Sequence, residues 1–192
     1  MIFIDKKFLC SLTIAFSFLS CGSLSAEMYV STASEHLLEF ITRFEGEKAP
    51  GRFSQFEAEV TTEPGSALPI SIRVTVDVTS ATMGSPDLDE GISEPEWFDF
   101  SAYPQATFTS DHIRPTAGAG YLADGELRLK GVRRKLKVSF DWKLKGERAE
   151  MSGTTEMSRL DFNIGTGEWS DTTSIAETVL IRFSLSLAEK PQ

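Results

Sequence analysis

The stretch Pro69–Ser80, PISIRVTVDVTS, decides the fold of this chain of 192 residues. Its isoleucines and valines all stand at even positions, whereas Arg73, Asp77 and the threonines stand at odd positions. A period of two residues puts successive side chains on opposite faces of a β-strand, and β-branched residues favour that conformation. The stretch is therefore predicted to form a strand with one buried and one exposed face.

The same alternation recurs along the rest of the chain. KLKVSFDWKLK at residues 135–145 and VLIRFSLSL at residues 179–187 show it clearly. Weaker alternation marks residues 38–44, 53–60, 106–113, 121–129 and 149–162. With few helices to cover so many one-sided strands, closing the sheet on itself buries the apolar faces most economically. The pattern predicts an all-β fold, an antiparallel β-barrel of about eight strands.

Helical structure is predicted in only one or two short segments. SPDLDEGI at Ser85–Ile92 begins with Ser, Pro and Asp, which is typical of a helix N-terminus. EPEWFDF at Glu94–Phe100 is predicted to form a turn. Both segments lie between predicted strands and are too short to cover the sheet of the barrel.

Composition excludes several function classes. The chain has 28 acidic and 19 basic residues, and this net charge of -9 disfavours a nucleic-acid partner. Only two histidines and two cysteines are available as ligands for a transition metal. The sequence contains no HExxH, CxxC, GxSxG or P-loop motif. We therefore predict no metal, no cofactor, no catalytic residues and no enzymatic activity.

The N-terminus is predicted to be a secretory signal peptide. The apolar run Phe8–Leu19 follows a short charged segment and is too short to span a bilayer, which needs about 20 residues. Small residues follow at Ser23–Ala26, where cleavage is expected. The chain then divides into a signal peptide at residues 1–26 and one domain at residues 27–192.

Cleavage there would remove both cysteines, so the mature chain would contain no thiol and no transmembrane segment. The predicted location is the periplasm. An alternative is a lipoprotein that is lipidated at Cys21. A homodimer is left open by the sequence.

The inward-facing side chains suggest what the barrel holds. The chain has 14 phenylalanines against three tyrosines and three tryptophans, so much of the interior lacks polar groups. An eight-stranded barrel either fills with side chains or holds one small ligand, and this lining suits an isoprenoid or acyl chain. His36 and Arg43 are predicted at the barrel mouth. The predicted lining residues are Leu38, Phe40, Phe44, Val74, Val76, Phe108, Leu129, Val138, Phe140 and Phe183.

Several motifs, in order along the chain, resemble the YceI-like family of secreted bacterial lipid-binding proteins. The most specific is WFDFSAYPQATFTS at Trp97–Ser110, with the pattern FDxxxYPxxxFxS. GRFSQF at Gly51–Phe56 matches the family's GxFxxF strand, and GELRLKGV at Gly125–Val132 matches its hairpin. RLDFNIGTGEW at residues 159–169 is similar to its last loop.

The resemblance implies an extended, lipocalin-like barrel that binds amphiphilic long-chain molecules, typically polyisoprenoids or isoprenoid quinones. The family has no established shared catalytic residues. Where it often has histidine, this chain has Phe44 and Lys130, which predicts a more apolar cavity. We therefore predict a periplasmic carrier or sequestering protein for a polyisoprenoid, an isoprenoid quinone or a fatty-acyl lipid.

Two other functions stay open at this point. The first is an enzyme on a lipid-like substrate, with His36, Arg43 or Asp161 supplying chemistry near the mouth. The second is a non-binding accessory of a membrane electron-transfer complex.

Overall fold

A computed structural model of the chain describes residues 25–118 and 120–191, with the backbone alone for residues 33–35. Apart from Ser25 and Ala26, the predicted signal peptide lies outside the described residues, as does Cys21. The strands are β1 Met28–Phe44, β2 Glu47–Phe53, β3 Phe56–Thr62, β4 Pro69–Asp77, β5 Ala81–Thr82, β6 Gln105–Pro115, β7 Tyr121–Leu129, β8 Val132–Lys145, β9 Arg148–Ser158 and β10 Thr178–Glu189.

Eight of these strands close into an antiparallel barrel in the order β1, β3, β4, β6, β7, β8, β9 and β10. The barrel closes where β10 pairs with β1, from Tyr29 opposite Glu189 to Ile41 opposite Leu180. Closure satisfies the hydrogen-bonding groups that an open sheet would leave along its edges. The predicted all-β barrel of about eight strands is confirmed.

The strands β2 and β5 lengthen the barrel at one end. β2 pairs with the second half of β1, and β5 pairs with β2. Residues 53–60 were expected as one strand, but the structure breaks them at Ser54 and Gln55. There the Gln55 amide donates to Ser80 Oγ, and its carbonyl accepts from the Asp77 amide. The strand breaks here because the Gln55 amide bonds to the 3-10 turn Val78–Ser80 and the Gln55 carbonyl bonds to Asp77, the N-cap residue of that turn.

The helix α1 spans Pro86–Ser93 and crosses the end of the barrel that β2 and β5 lengthen. Its proline stands in the first turn, where the missing amide proton costs nothing. The Asp89 carboxylate accepts from the Met83 amide at 2.6 Å and from Thr82 Oγ1 at 2.7 Å. These bonds hold α1 against β5. The predicted short helix is confirmed.

Two strand predictions were wrong in detail. The strand predicted to reach Phe162 ends at Ser158, because Arg159 takes a helical conformation and begins the 3-10 turn Leu160–Phe162. Ile70 shares the inward parity of Ile72 yet is exposed. It lies at the start of β4, beside a register shift opposite Thr61 and Thr62.

One end of the barrel, called the packed end here, is filled by side chains. The rings of Tyr29 and Trp142 meet edge to face at 5.6 Å, and Trp142 Nε1 donates to the Ala67 carbonyl at 3.0 Å. Small residues let the walls approach at this level. The buried residues of the packed end are Tyr29, Ala58, Val60, Ala123, Phe140, Trp142, Ala149 and Leu187.

Candidate functional site

An apolar cavity of about 550 Å³ lies between the packed end and α1. This volume falls in the range of about 300–1,000 Å³ found for pockets that hold small molecules. Its deep part is bounded by Ile72, Met151 and Leu185, and α1 borders its outer part. Aromatic residues form much of the wall, namely Phe40, Phe53, Phe56, Phe98, Phe108 and Phe183.

Most side chains predicted to line a cavity do lie in its wall. Those at the cavity are Leu38, Phe40, Phe44, Val74, Val76, Phe108, Leu129, Val138 and Phe183. Phe140 is the exception: it faces inward but belongs to the packed end, where its ring stacks on Tyr121 at 5.6 Å. Alternation identifies the inward face of a strand, whereas the height along the barrel axis decides between cavity and packed core.

The cavity opens to solvent through a ring of apolar residues, called the mouth here. Phe44, Leu88 and Trp169 line the cavity and are still 47%, 50% and 38% exposed. They come from the hairpin of β1 and β2, from α1, and from the 3-10 turn Gly167–Ser170. Apolar surface therefore runs without interruption from the lumen to the outside.

A buried arginine holds the last loop of the mouth. Arg159 lines the cavity, is 1% exposed, and lies in no ion pair among the described residues. Burial lowers the pKa of its guanidinium, and the nearby Glu177 acts in the opposite direction. Because main-chain oxygens surround the cation, the loop is fixed around it. Four carbonyls accept from the guanidinium at 2.9–3.1 Å, those of Ile164, Gly165, Ile175 and Ala176.

A lysine joins the α1 side of the mouth to the last loop. Lys130 Nζ donates to the Pro95 carbonyl at 2.6 Å and to the Asn163 carbonyl at 2.7 Å. Burial lowers the pKa of Lys130, while Asp99 and Glu96 raise it. The lysine thus ties the turn after α1 to the last loop.

The residues proposed for chemistry at the mouth do not meet. His36 lies beside a bulge in β1, opposite Leu185 and 4.5 Å from the Phe56 ring, with its Nδ1 buried and unpartnered among the described residues. Its predicted place at the mouth was wrong. Phe44 lies at the mouth, and His36 lies eight residues before it in β1, a distance of up to about 26 Å along the strand. Arg43 lies near the mouth but points outward and donates to Gly46 at 2.8 Å. Asp161 is exposed in the 3-10 turn after β9.

Sequence reasoning missed Leu88, Trp169 and Arg159 as cavity residues. Leu88 and Ile92 stand four residues apart in α1, a spacing that puts both on one helix face. Within the short helix that the sequence predicts, this spacing is the signal that identifies the inward face. Nothing in the sequence alone distinguishes Arg159 from a surface arginine, since its burial depends on how the last loop folds back.

The described residues contain neither a helix that could cross a membrane nor a cluster of metal-binding side chains. Within residues 25–118 and 120–191, no helix has the length and hydropathy needed to cross a membrane. In the same ranges, no three side chains of His, Cys, Asp or Glu are grouped so that they could hold a metal ion.

The fold and the site define a class: closed antiparallel β-barrels with an apolar interior that opens at one end. The model of one family in this class, the YceI-like domain, matches residues 28–187. The chain belongs to that family, and the resemblance of its motifs is confirmed.

Relatives and solved structures agree with this assignment. A UPF0312 protein of Pectobacterium carotovorum is 30% identical over 172 residues, covering 84% of this chain and 88% of its own length. The crystal structure of Burkholderia cenocepacia BcnA is 31% identical with a TM-score of 0.76, covering 81% of this chain and 98% of that one. A polyisoprenoid-binding domain of Saccharophagus degradans, implicated in plant cell wall breakdown, is 16% identical with a TM-score of 0.63, covering 85% and 98%.

Proposed function

We propose that this protein is a periplasmic carrier or sequestering protein for a long-chain amphiphilic lipid, a polyisoprenoid or an isoprenoid quinone, held inside the barrel. The observation that carries the proposal is the apolar cavity of about 550 Å³ that opens through the mouth. The name of the Saccharophagus domain, which shares the fold, supports this ligand class. The predicted signal peptide supports the periplasmic location.

Burial of the chain supplies the binding free energy. Each methylene that leaves water contributes about 0.8 kcal/mol, so about ten buried carbons contribute about 8 kcal/mol before the entropy of association is subtracted. This driving force requires no polar contact along the chain, and the walls at Ile72, Met151 and Leu185 provide none. The affinity of an apolar lumen for its ligand therefore depends on how well the ligand fits the cavity and on how much apolar surface the ligand buries.

The ligand lies with its tail inward and its polar end at the mouth. The deep wall is apolar, whereas Asp87 lines the outer part of the cavity beside Leu88. Solvent reaches the mouth, so a polar headgroup there keeps its hydration and avoids the cost of burial without a partner. The apolar surface of Phe44 and Trp169 guides the chain between lumen and solvent.

Binding accounts for the site better than catalysis. An enzyme on a lipid would need an acid, a base or a nucleophile within hydrogen-bond reach of one another. His36, Arg43 and Asp161 share no hydrogen bond or ion pair within the described residues, and two of the three point to solvent. We therefore propose a binding protein and not an enzyme.

A transfer experiment tests the proposal. Delipidated protein is incubated with phospholipid vesicles that contain a polyprenol, the two are separated by flotation, and prenyl lipid on the protein is measured. We expect stoichiometric uptake. Protein that takes up no prenyl lipid, or that turns it over into a product, would contradict the proposal.

Two exposed residues provide a matched pair for this assay. Leu88→Glu puts a charge on the mouth, whereas Ile70→Glu puts the same charge on an exposed residue at the start of β4 that does not line the cavity. Uptake should slow for Leu88→Glu and stay at the wild-type rate for Ile70→Glu. Equal rates in the two variants would show that the chain does not pass through the mouth.

A further inference from the structure

Three phenylalanine rings of the cavity wall lie directly over glycines of neighbouring strands. The pairs are Phe40 over Gly51, Phe108 over Gly125, and Phe183 over Gly153. Two of the pairs stand opposite each other in register, across β1 and β2 and across β9 and β10. The space that a side chain would occupy on each glycine is therefore already filled by a ring.

The closeness of these contacts shows that a side chain at any of the three glycines would displace a neighbouring group. A Cβ at Gly125 would lie 2.5 Å from Phe108 Cζ, and one at Gly153 would lie 2.7 Å from Phe183 Cζ. A Cβ at Gly51 would overlap three atoms of the Phe40 ring. An aromatic ring that covers a glycine on the next strand shields its backbone and sits low against the sheet.

The low position of the rings widens the lumen. Phe40, Phe108 and Phe183 all line the cavity, yet each ring uses the recess above a glycine for part of its volume. With any larger residue in the recess, the ring would have to move toward the barrel axis. The bore of the cavity thus depends on residues that have no side chain.

We infer that Gly51, with Gly125 and Gly153, sets the bore of the cavity and thereby selects methyl-branched chains over straight ones. This inference rests on the proposed function. A straight chain leaves the lateral space beside the recessed rings unfilled and loses dispersion contacts there, whereas methyl branches fill it. One methylene more or less in an apolar pocket changes selectivity about 10–200-fold, so a displaced ring has a measurable effect.

Gly51 offers the cleanest test of the three. Its closest neighbours are all atoms of the Phe40 ring, namely Cζ, Cε1 and Cε2. At Gly125 and Gly153, main-chain oxygens of Thr109 and Ser139 stand in the way as well. An alanine at Gly51 therefore displaces a side chain, whereas the other two substitutions also disturb the sheet.

The experiment compares two probes on delipidated mature protein: a prenyl alcohol and a straight-chain alcohol with the same main-chain length. Gly51→Ala should weaken binding of the prenyl alcohol about tenfold and that of the straight alcohol much less. Leucine lacks the three ring atoms that meet the new Cβ, so Phe40→Leu/Gly51→Ala should bind the prenyl alcohol as Phe40→Leu does. Gly118→Ala is the control, since among the described residues its Cβ would approach only Thr116 Oγ1, at 3.9 Å.

An unchanged ratio of the two affinities in Gly51→Ala would overturn the inference, as would a double variant that binds more weakly than Phe40→Leu. If Gly51→Ala does not fold, the comparison of the double variant with Phe40→Leu still decides, because equal affinities show that the alanine acts through the ring. Wild-type protein that binds neither alcohol would refute the proposed function itself. Binding of both alcohols with equal losses in Gly51→Ala would leave lipid binding intact and refute selection by the bore.

Discussion

The two ends of this barrel are built from the same strands and differ in what their inward faces carry. At the packed end, the small residues Ala58, Ala123 and Ala149 let the walls close on Tyr29 and Trp142. Toward the mouth, large apolar residues line the cavity, and three of their rings lie recessed over glycines, which leaves the lumen wide. One alternating pattern thus gives a core at one level and a cavity at another.

The two ends also differ in the interactions that stabilise them. The packed end is held by apolar contact, with the Tyr29 hydroxyl donating to Glu27 and the Trp142 indole donating to Ala67. The mouth is held by two cations, the half-buried Lys130 and the buried Arg159, which bind main-chain carbonyls of the loops around it. Because hydrogen bonds to the main chain stabilise the loops of the mouth, the apolar side chains of its rim stay available for a ligand.

The largest effect is expected from Phe140→Ala at the packed end. The phenylalanine is 3% exposed and stacks on Tyr121, so its removal leaves a void that the walls cannot fill. The free energy of unfolding should fall by about 3–5 kcal/mol, as urea titration would show. A loss below about 1 kcal/mol would mean that this end is not packed.

Arg159→Lys tests whether the hydrogen bonds of the guanidinium stabilise the last loop of the mouth. Lysine keeps the charge, but its three donors share one nitrogen and cannot reach the four carbonyls that the guanidinium fork holds. Each buried carbonyl left without a partner costs about 1–3 kcal/mol, and we expect a total loss of about 3 kcal/mol with faster release of bound lipid. Thermal melts and lipid retention measure the two effects. Wild-type values for both would show that the loop is not held by this residue.

Alkaline pH should weaken the packed end through Tyr29. Burial, and then the hydrogen bond to Glu27, raises the pKa of Tyr29 to about 12. The folded pKa lies above the unfolded value of about 10, so this stabilisation is complete below pH 10 and is lost as the pH rises toward 12. Relative to Tyr29→Phe, the wild type should lose about 2 kcal/mol over that window. If the free energies of unfolding of the two proteins change in parallel between pH 10 and 12, folding does not raise the pKa of Tyr29.

The smallest effect on stability is expected from Phe44→Ala at the mouth. The ring is 47% exposed, so its removal should reduce the free energy of unfolding by about 1 kcal/mol. Retention of a bound prenyl lipid should nevertheless fall, because the ring covers the chain where it leaves the lumen. Urea titration and lipid extraction separate the two readouts. A variant that unfolds, or that retains lipid at the wild-type level, would show that Phe44 does not hold the lipid chain at the mouth.

The sequence predicts the barrel and its inward faces because both follow from local alternation. It places Phe108 and Phe183 in the cavity wall for that reason. It assigns Phe140 to the cavity and His36 to the mouth wrongly, because strand tilt and the bulge beside His36 decide height along the axis. Alternation carries no information on that height.

The mouth is harder to predict from sequence. Arg159 and Lys130 act on carbonyls from segments distant in the chain, and a carbonyl carries no sequence signal. The pairing of Phe40 with Gly51 likewise depends on the register between β1 and β2. Such contacts are fixed only when the strands are aligned.

The central claim is that the cavity holds a long-chain lipid, and native mass spectrometry tests it most directly. Protein purified without detergent from its own host is measured intact, then denatured and extracted. We predict an excess mass on the native protein that disappears on denaturation and matches a prenyl lipid in the extract. A native mass equal to that of the polypeptide, from protein whose cavity also takes up no polyprenol from vesicles, would contradict the claim.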